Sequence, residues 1–205
     1  MSILAIGPVT NIATVLKLHP KLAKNVVRIV AVAGRRPGQR FAYSPSQGHA
    51  FRDFNFELDP AGFQILLDSG VPLVLAPWEI SSKVWLTRGD LNRLSKGGPA
   101  ARYLVPPALD WLMWWKKNIG TDGFNPFDTL AVGYLTSPQF LQCSDLSVEI
   151  VTAPDDVSPD ATNKTKPYLQ VSDRPKRFRA VTYCYNARPQ FKEDLLRRLL
   201  RKDDE

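Results

Sequence analysis

Three polar clusters carry the residue types that could do chemistry. Gly7-Pro8-Val9-Thr10-Asn11 follows a short apolar run, and Gln47, His49, Asp53 and Asn55 share one long polar stretch. Asp128 opens a later helix-like pattern. Carboxylates and amides of this kind can grip sugar hydroxyls or a hard cation. Each has a plainer reading as well. Asp128 serves as a helix N-cap, and Asp53 and Asn55 form a turn into the helix start at Asp59-Pro60. Nucleophilic catalysis finds little support: there is no G-x-S-x-G elbow, and the histidines are His19, read as a surface residue, and His49. The phosphate-loop and dinucleotide glycine patterns are absent. Gly34-Arg35-Arg36-Pro37-Gly38-Gln39-Arg40 could meet an anion, although its composition favours a solvated loop.

Elements must bring these clusters together. Residues 3–6, 26–33 and 73–76 are continuous runs rich in Val, Ile and Leu, as in parallel strands buried on both faces. A helix capped by Thr10 or Asn11 runs to about Leu18. A second has Asp59 at its N-cap, Pro60 in its first position, Phe63, Leu66 and Leu67 on one face, and Gly70 at its stop. Pro106-Pro107 opens a helix through Lys117. Its Trp111, Trp114 and Trp115 sit at helical spacing, which favours core packing over a pocket. A shorter helix from Asp128 carries Leu130, Ala131 and Tyr134. Residues 154–167 read as a polar loop, 179–185 as a late strand and 189–200 as an amphipathic helix. The alternation predicts an α/β fold, a parallel sheet with flanking helices, formed by residues 1–205 as one domain. Ligands of such sheets sit at the C-terminal ends of the strands, where all three clusters fall.

Composition removes several classes. With 44% hydrophobic and 23% charged residues, a 205-residue chain builds an ordinary core rather than a disordered tract. No apolar run approaches the ~20 residues of a membrane span, so no membrane partner is expected. The net charge of +7 is local: residues 164–202 hold 12 Lys and Arg against 3 acids. Without a recognition motif, that stretch does not favour nucleic acid as a partner. Two cysteines, Cys143 and Cys184, cannot build a disulfide framework or a four-thiolate zinc site. They fit free thiols in a reduced, cytoplasmic compartment.

In sequence order, Ile3-Leu4-Ala5-Ile6-Gly7-Pro8-Val9-Thr10-Asn11 resembles the strand–GPxTN segment of the inosine–uridine-preferring nucleoside hydrolases. Asp53-Phe54-Asn55-Phe56-Glu57-Leu58-Asp59-Pro60 resembles their E-F-N-x-x-x-D-P segment. Phe127-Asp128-Thr129-Leu130-Ala131-Val132 resembles their H-D-x-x-A-V segment. The resemblance implies a ribonucleoside substrate, hydrolysis of its N-glycosidic bond by Ca²⁺-activated water, and a homo-oligomer. It places Asp128 and the main-chain carbonyl of Ile6 on the metal, with Thr10 the weaker choice. It sets Asp53 and Asn55, with Gln47 or His49, on the ribose.

The departures shape the expectation. Asp53 stands for a glutamate one methylene longer, and Phe127 for a histidine that can donate a proton. The family's aspartate cluster, with most calcium ligands and the general base, has no counterpart; by the resemblance it belongs on a strand that would precede Met1. The first apolar strand likewise starts at once, with no neighbour ahead of it. The chain therefore reads as nucleoside-hydrolase-like but lacking an N-terminal third, retaining no assured catalytic residue and inactive alone. The alternative is a non-catalytic homologue that binds ribosides or a partner.

Overall fold

The structure is a computed structural model that describes residues 1–43, 50–158, 163–173 and 179–201. Apolar runs form β1 (Ser2–Ala5), β2 (Arg28–Ala31) and β3 (Leu73–Leu75), paired in parallel with Ser2 opposite Arg28 and Ile29 opposite Leu73. The crossovers carry α1 (Thr10–Leu18), α2 (Phe54–Glu57) and α3 (Pro60–Asp68). Successive strand residues face opposite sides, yet Ile29 and Val30 are both fully buried. Ile29 joins the cluster of Phe63 and Leu66, and Val30 that of Ile80 and Leu130. Both faces are thus covered, as the unbroken apolar run requires. Asp59 caps α3 through Gly62 N–H, with Pro60 in the first turn, as expected.

Beyond β3 come α4 (Trp78–Ser81), β4 (Leu86–Thr87), α5 (Arg88–Leu94), α6 (Pro99–Ile119), β5 (Gly123–Phe124) and α7 (Thr129–Thr136). The chain ends with β6 (Leu141–Pro154), β7 (Thr165–Ser172), β8 (Ala180–Ala187) and α8 (Gln190–Leu200). The six-stranded sheet has the order β1-β2-β3-β8-β6-β7. The last-made strand, β8, pairs parallel to β3 and antiparallel to β6.

Four expectations change. The parallel sheet continues into an antiparallel β6–β7 hairpin, so the polar loop expected at 154–167 shrinks between Pro154 and Thr165. The helix expected to open at Pro106 begins at Pro99. Arg102 and Tyr103, whose carbonyls lose their usual partners to the prolines, face solvent, where water can satisfy them. Strand β1 is an edge strand and is not buried on both faces: Leu4 is 37% and Ile6 50% exposed. Finally, Cys143 and Cys184 are not free thiols. The β6–β8 register sets them directly opposite each other, and they form a disulfide. That pairing removes the support that free thiols lent to a reducing compartment. Among the described residues no helix is long and apolar enough to cross a membrane.

Candidate functional site

At the C-terminal ends of β1 and β2 the chain encloses a cavity of about 250 Å³. Ile6, Asp53, Asn55 and Asp128 all line it, so three segments far apart in sequence converge there. Gln47 and His49 lie outside the described residues. Thr10 is drawn elsewhere: its hydroxyl donates to Asp59 Oδ2 at 2.6 Å, tying α1 to the start of α3. Thr10 is therefore not among the cavity residues.

Met1, ahead of which the resemblance sets the general base, is not a cavity residue either. It sits just before β1, at the opposite end of that strand from Ile6. Its ammonium donates to Asn25 O and its carbonyl accepts from Val27 N–H, both at 2.8 Å, while its side chain is exposed. Met1 thus anchors the start of β1 to the segment before β2 and supplies no chemistry to the site.

The carboxylates and the amide differ in what remains free. Asp53 is the N-cap of α2. Its Oδ2 accepts from Gly34 N–H at 2.8 Å and its Oδ1 from Phe56 N–H at 3.3 Å. Gly34 has φ near +92°, a conformation that suits only glycine well, and this brings its amide to the carboxylate. Burial pushes the Asp53 carboxyl up to about 6, against the lowering pull of these two amides and Arg35. Asn55 Nδ2 donates to Val32 O at 2.9 Å, which fixes the amide plane. Asp128 occupies the N-cap position of α7 but makes no side-chain cap bond, and burial raises its carboxyl above the ordinary range. The plain capping reading of Asp128 therefore fails in this fold.

The same cavity carries an aromatic wall, of which the motifs contained only Phe127. Tyr43 stacks on Phe51 at 4.2 Å, Trp78 meets Phe51 edge-on at 4.9 Å, and Phe127 lies 5.3 Å from Trp78. All four rings line the cavity. Phe127 stood in a quoted motif and Trp78 lies shortly after β3, whereas Tyr43 and Phe51 carried no signal. Of the helical tryptophans, Trp115 is fully buried and touches Tyr43 edge-on, as core packing predicts. Trp111 and Trp114 stack on each other and stay exposed.

A salt-bridge cluster braces the floor. Glu57 Oε1 accepts from Asp53 N–H at 3.1 Å and pairs with Lys166 Nζ at 2.7 Å. Arg52, on the cavity rim, reaches both Glu57 and Asp155. Burial alone would lower the Lys166 ammonium, but Glu57 and Asp156 together hold it above its ordinary value.

Comparison with known proteins explains the convergence. The model of the inosine-uridine preferring nucleoside hydrolases matches residues 1–185. The chain belongs to this family. It is 27% identical over 154 residues to the pyrimidine-specific ribonucleoside hydrolase RihA of Klebsiella pneumoniae, which covers 74% of this chain and 47% of that one. It is 24% identical over 151 residues to the putative pyrimidine-specific ribonucleoside hydrolase RihB of Shigella dysenteriae, covering 73% and 53%. A plant nucleoside hydrolase structure superimposes with a TM-score of 0.77 at 20% identity, over 97% of this chain and 61% of that one. A purine-preferring ribonucleoside hydrolase from Gardnerella vaginalis gives 0.70 at 19% identity, over 97% and 60%. The chain spans about half the length of the curated relatives it matches.

The donors present in this nucleoside hydrolase family member do not fit the calcium ion that the resemblance implied. Such an ion takes six to eight oxygens. The cavity offers Asp128, but both Asp53 oxygens accept main-chain amides. Among the described residues no three His, Cys, Asp or Glu side chains stand close enough to hold a metal.

Proposed function

We propose that residues 1–205 form one nucleoside-hydrolase-like unit whose cavity takes a ribonucleoside, ribose toward Asn55 and Asp128 and base against the aromatic wall. The observation that carries this reading is the convergence of Ile6, Asn55 and Asp128 opposite Tyr43, Phe51, Trp78 and Phe127. Amide and carboxylate oxygens suit vicinal hydroxyls, and ring faces suit any flat base. The reaction is hydrolysis of the N-glycosidic bond, with water adding at C1′ as positive charge grows on the ribose. Asp128, partly withdrawn from water, can stabilise that charge and accept a hydroxyl hydrogen bond. Phe127 cannot protonate the departing base, so departure relies on solvent or on a base that leaves unprotonated. Asp53 supports the ribose side as a cap and tether, since its oxygens are engaged by main-chain amides.

The oxygen donors gathered by the described residues are too few for Ca²⁺, so no step of this reading runs through a metal. The chain alone is accordingly a riboside binder with turnover well below the ~1 per second of ordinary enzymes. Calorimetry with inosine and uridine, paired with a reducing-sugar assay with and without Ca²⁺, tests this. Saturable binding that Asn55→Ala abolishes supports the reading. No binding of either nucleoside overturns it, and turnover near 1 per second overturns the inactivity.

A further inference from the structure

A second cavity, of about 150 Å³, lies behind the ring of Phe41 and shares no lining residue with the first. That is roughly ten times the 10–15 Å³ one water needs. Arg35, Gln39, Arg40, Asp156, Tyr168 and Gln170 line it. The loop from Gly34 to Arg40 reads from its composition as solvated, yet Arg35 is only 2% exposed. Its main chain is stitched to β7, N–H to Leu169 O and C=O to Val171 N–H, both at 3.0 Å. Its guanidinium lies between the rings of Phe41, at 4.0 Å, and Tyr168, at 4.9 Å. Nη1 donates to Asp156 Oδ2 at 2.7 Å and Gln39 O at 3.2 Å. Nη2 is buried with no partner among the described residues. Buried guanidinium donors are seldom left so, because an unmade bond at a charged group costs more than at a neutral one.

The carboxylates around this donor are already engaged by other cations. Asp156 is fully engaged, its Oδ2 by Arg35 and its Oδ1 by Lys166 at 2.9 Å and Tyr168 at 3.1 Å. Asp155 and Glu57 are held by Arg52 and Lys166. The connected group thus sets Arg35, Arg52 and Lys166 against Glu57, Asp155 and Asp156, three against three, and the exposed Arg40 lines the same cavity outside that network. A water could accept from Nη2, but it brings no negative charge to a cavity lined by two arginines. A forked guanidinium held rigidly between rings, with a second arginine at the mouth, is the donor set that oxyanions select.

We propose that this cavity is a binding site for a small tetrahedral oxyanion of the orthophosphate class, clamped by Arg35 and Arg40 behind Phe41. Gln39 and Gln170 contribute neutral amides at its walls. The ligand is the free ion rather than the phosphate of a sugar ester, because Phe41 separates this space from the cavity that would hold a sugar.

The test uses the whole chain and needs no hydrolytic activity. Inorganic phosphate is titrated by calorimetry at an ionic strength fixed with sodium chloride, and melting is followed in parallel. One saturable site with a rise in Tm is expected, weakened at least about fivefold by Arg40→Ala, which leaves Tm without phosphate unchanged. Arg35→Lys, keeping charge but losing the fork, is expected to weaken binding similarly. Should that variant fail to fold, Arg40→Ala and Gln170→Ala decide. Ribose 5-phosphate is expected to bind no more tightly than phosphate. A response that chloride reproduces, or that survives Arg40→Ala intact, overturns the site. Tenfold tighter binding of ribose 5-phosphate overturns the free-ion assignment.

Discussion

Asp53 and Asn55 stand two residues apart and serve different ends. Asp53 spends both oxygens on main-chain amides, while Asn55, which lines the cavity, spends one hydrogen of its amide on Val32. Burial raises the Asp53 carboxyl to about 6 from an ordinary value near 3.8. The folded chain therefore holds this proton more tightly than the unfolded chain. By linkage, stability falls as pH rises from about 4 to about 6 and is flat above. The loss is on the order of 2 kcal/mol. Urea titrations at pH 4.5 and 6.5 should show it, and Asp53→Asn should remove it while costing about 1 kcal/mol through the lost Gly34 acceptor. If the Asp53→Asn profile keeps the same slope, another group is responsible. Asp128→Ala, by contrast, removes no cap bond. It should leave Tm within ~1 °C and weaken uridine binding about tenfold, the size of one charge-assisted hydrogen bond.

Helix α2 is a single turn and cannot stand on local propensity. It is held by a reciprocal cap, Asp53 to Phe56 N–H and Glu57 back to Asp53 N–H, and Glu57 is in turn gripped by Lys166. Lys166→Met would take one of two cationic partners from each of Glu57, Asp155 and Asp156, leaving three acids against two arginines. A loss of about 3–5 kcal/mol in urea unfolding is expected, with weaker nucleoside binding alongside. Lys166→Arg should recover part of both.

This brace was invisible in the sequence. Residues 154–167 read there as a polar loop, because ion pairs bury charges that composition assigns to solvent. β6 escaped for a related reason: Ser144, Asp145, Ser147, Glu149 and Thr152 interrupt it, since much of the hairpin is only partly covered. The buried strands β2 and β3 announced themselves by unbroken aliphatic runs, and α3 by Asp59, Pro60 and Gly70. The polar half of the site was legible as short motifs at strand ends. Of its aromatic half only Phe127 stood in a motif, because Tyr43, Phe51 and Trp78 become its neighbours only through folding. Opposite cysteines on β6 and β8 were also beyond a reading that had not placed β6. Their disulfide closes a separation of 41 residues and should contribute ~2–4 kcal/mol. Reduction with dithiothreitol should lower Tm by roughly 5–12 °C, and an unchanged Tm would show that the bond carries no stability.

The sheet is unequal at its borders. Among the described residues β7 ends it with a bridge to the Arg35 segment, whereas β1 has no strand on its outer side, and Leu4 and Ile6 are exposed. Edges of this kind pair with other chains unless charge or cover prevents it. Light scattering should show concentration-dependent association that Leu4→Lys suppresses, while Val15→Lys, away from the strand, does not. α8 lies past the family match at residue 185, yet Phe191 and Leu196 are buried, and a Cβ on Gly133 would sit 2.3 Å from the Phe191 ring.

The insertion of β8 between β3 and β6 has a consequence for how the molecule is made. Synthesis supplies β3 by residue 75, but the strand that closes its open side begins only at residue 180. At ~5–20 residues per second, a nascent chain on the ribosome holds that aliphatic border uncovered for roughly 5–20 s. The order of translation thus runs against the order of the sheet, and the half-made protein is a natural client for holding chaperones.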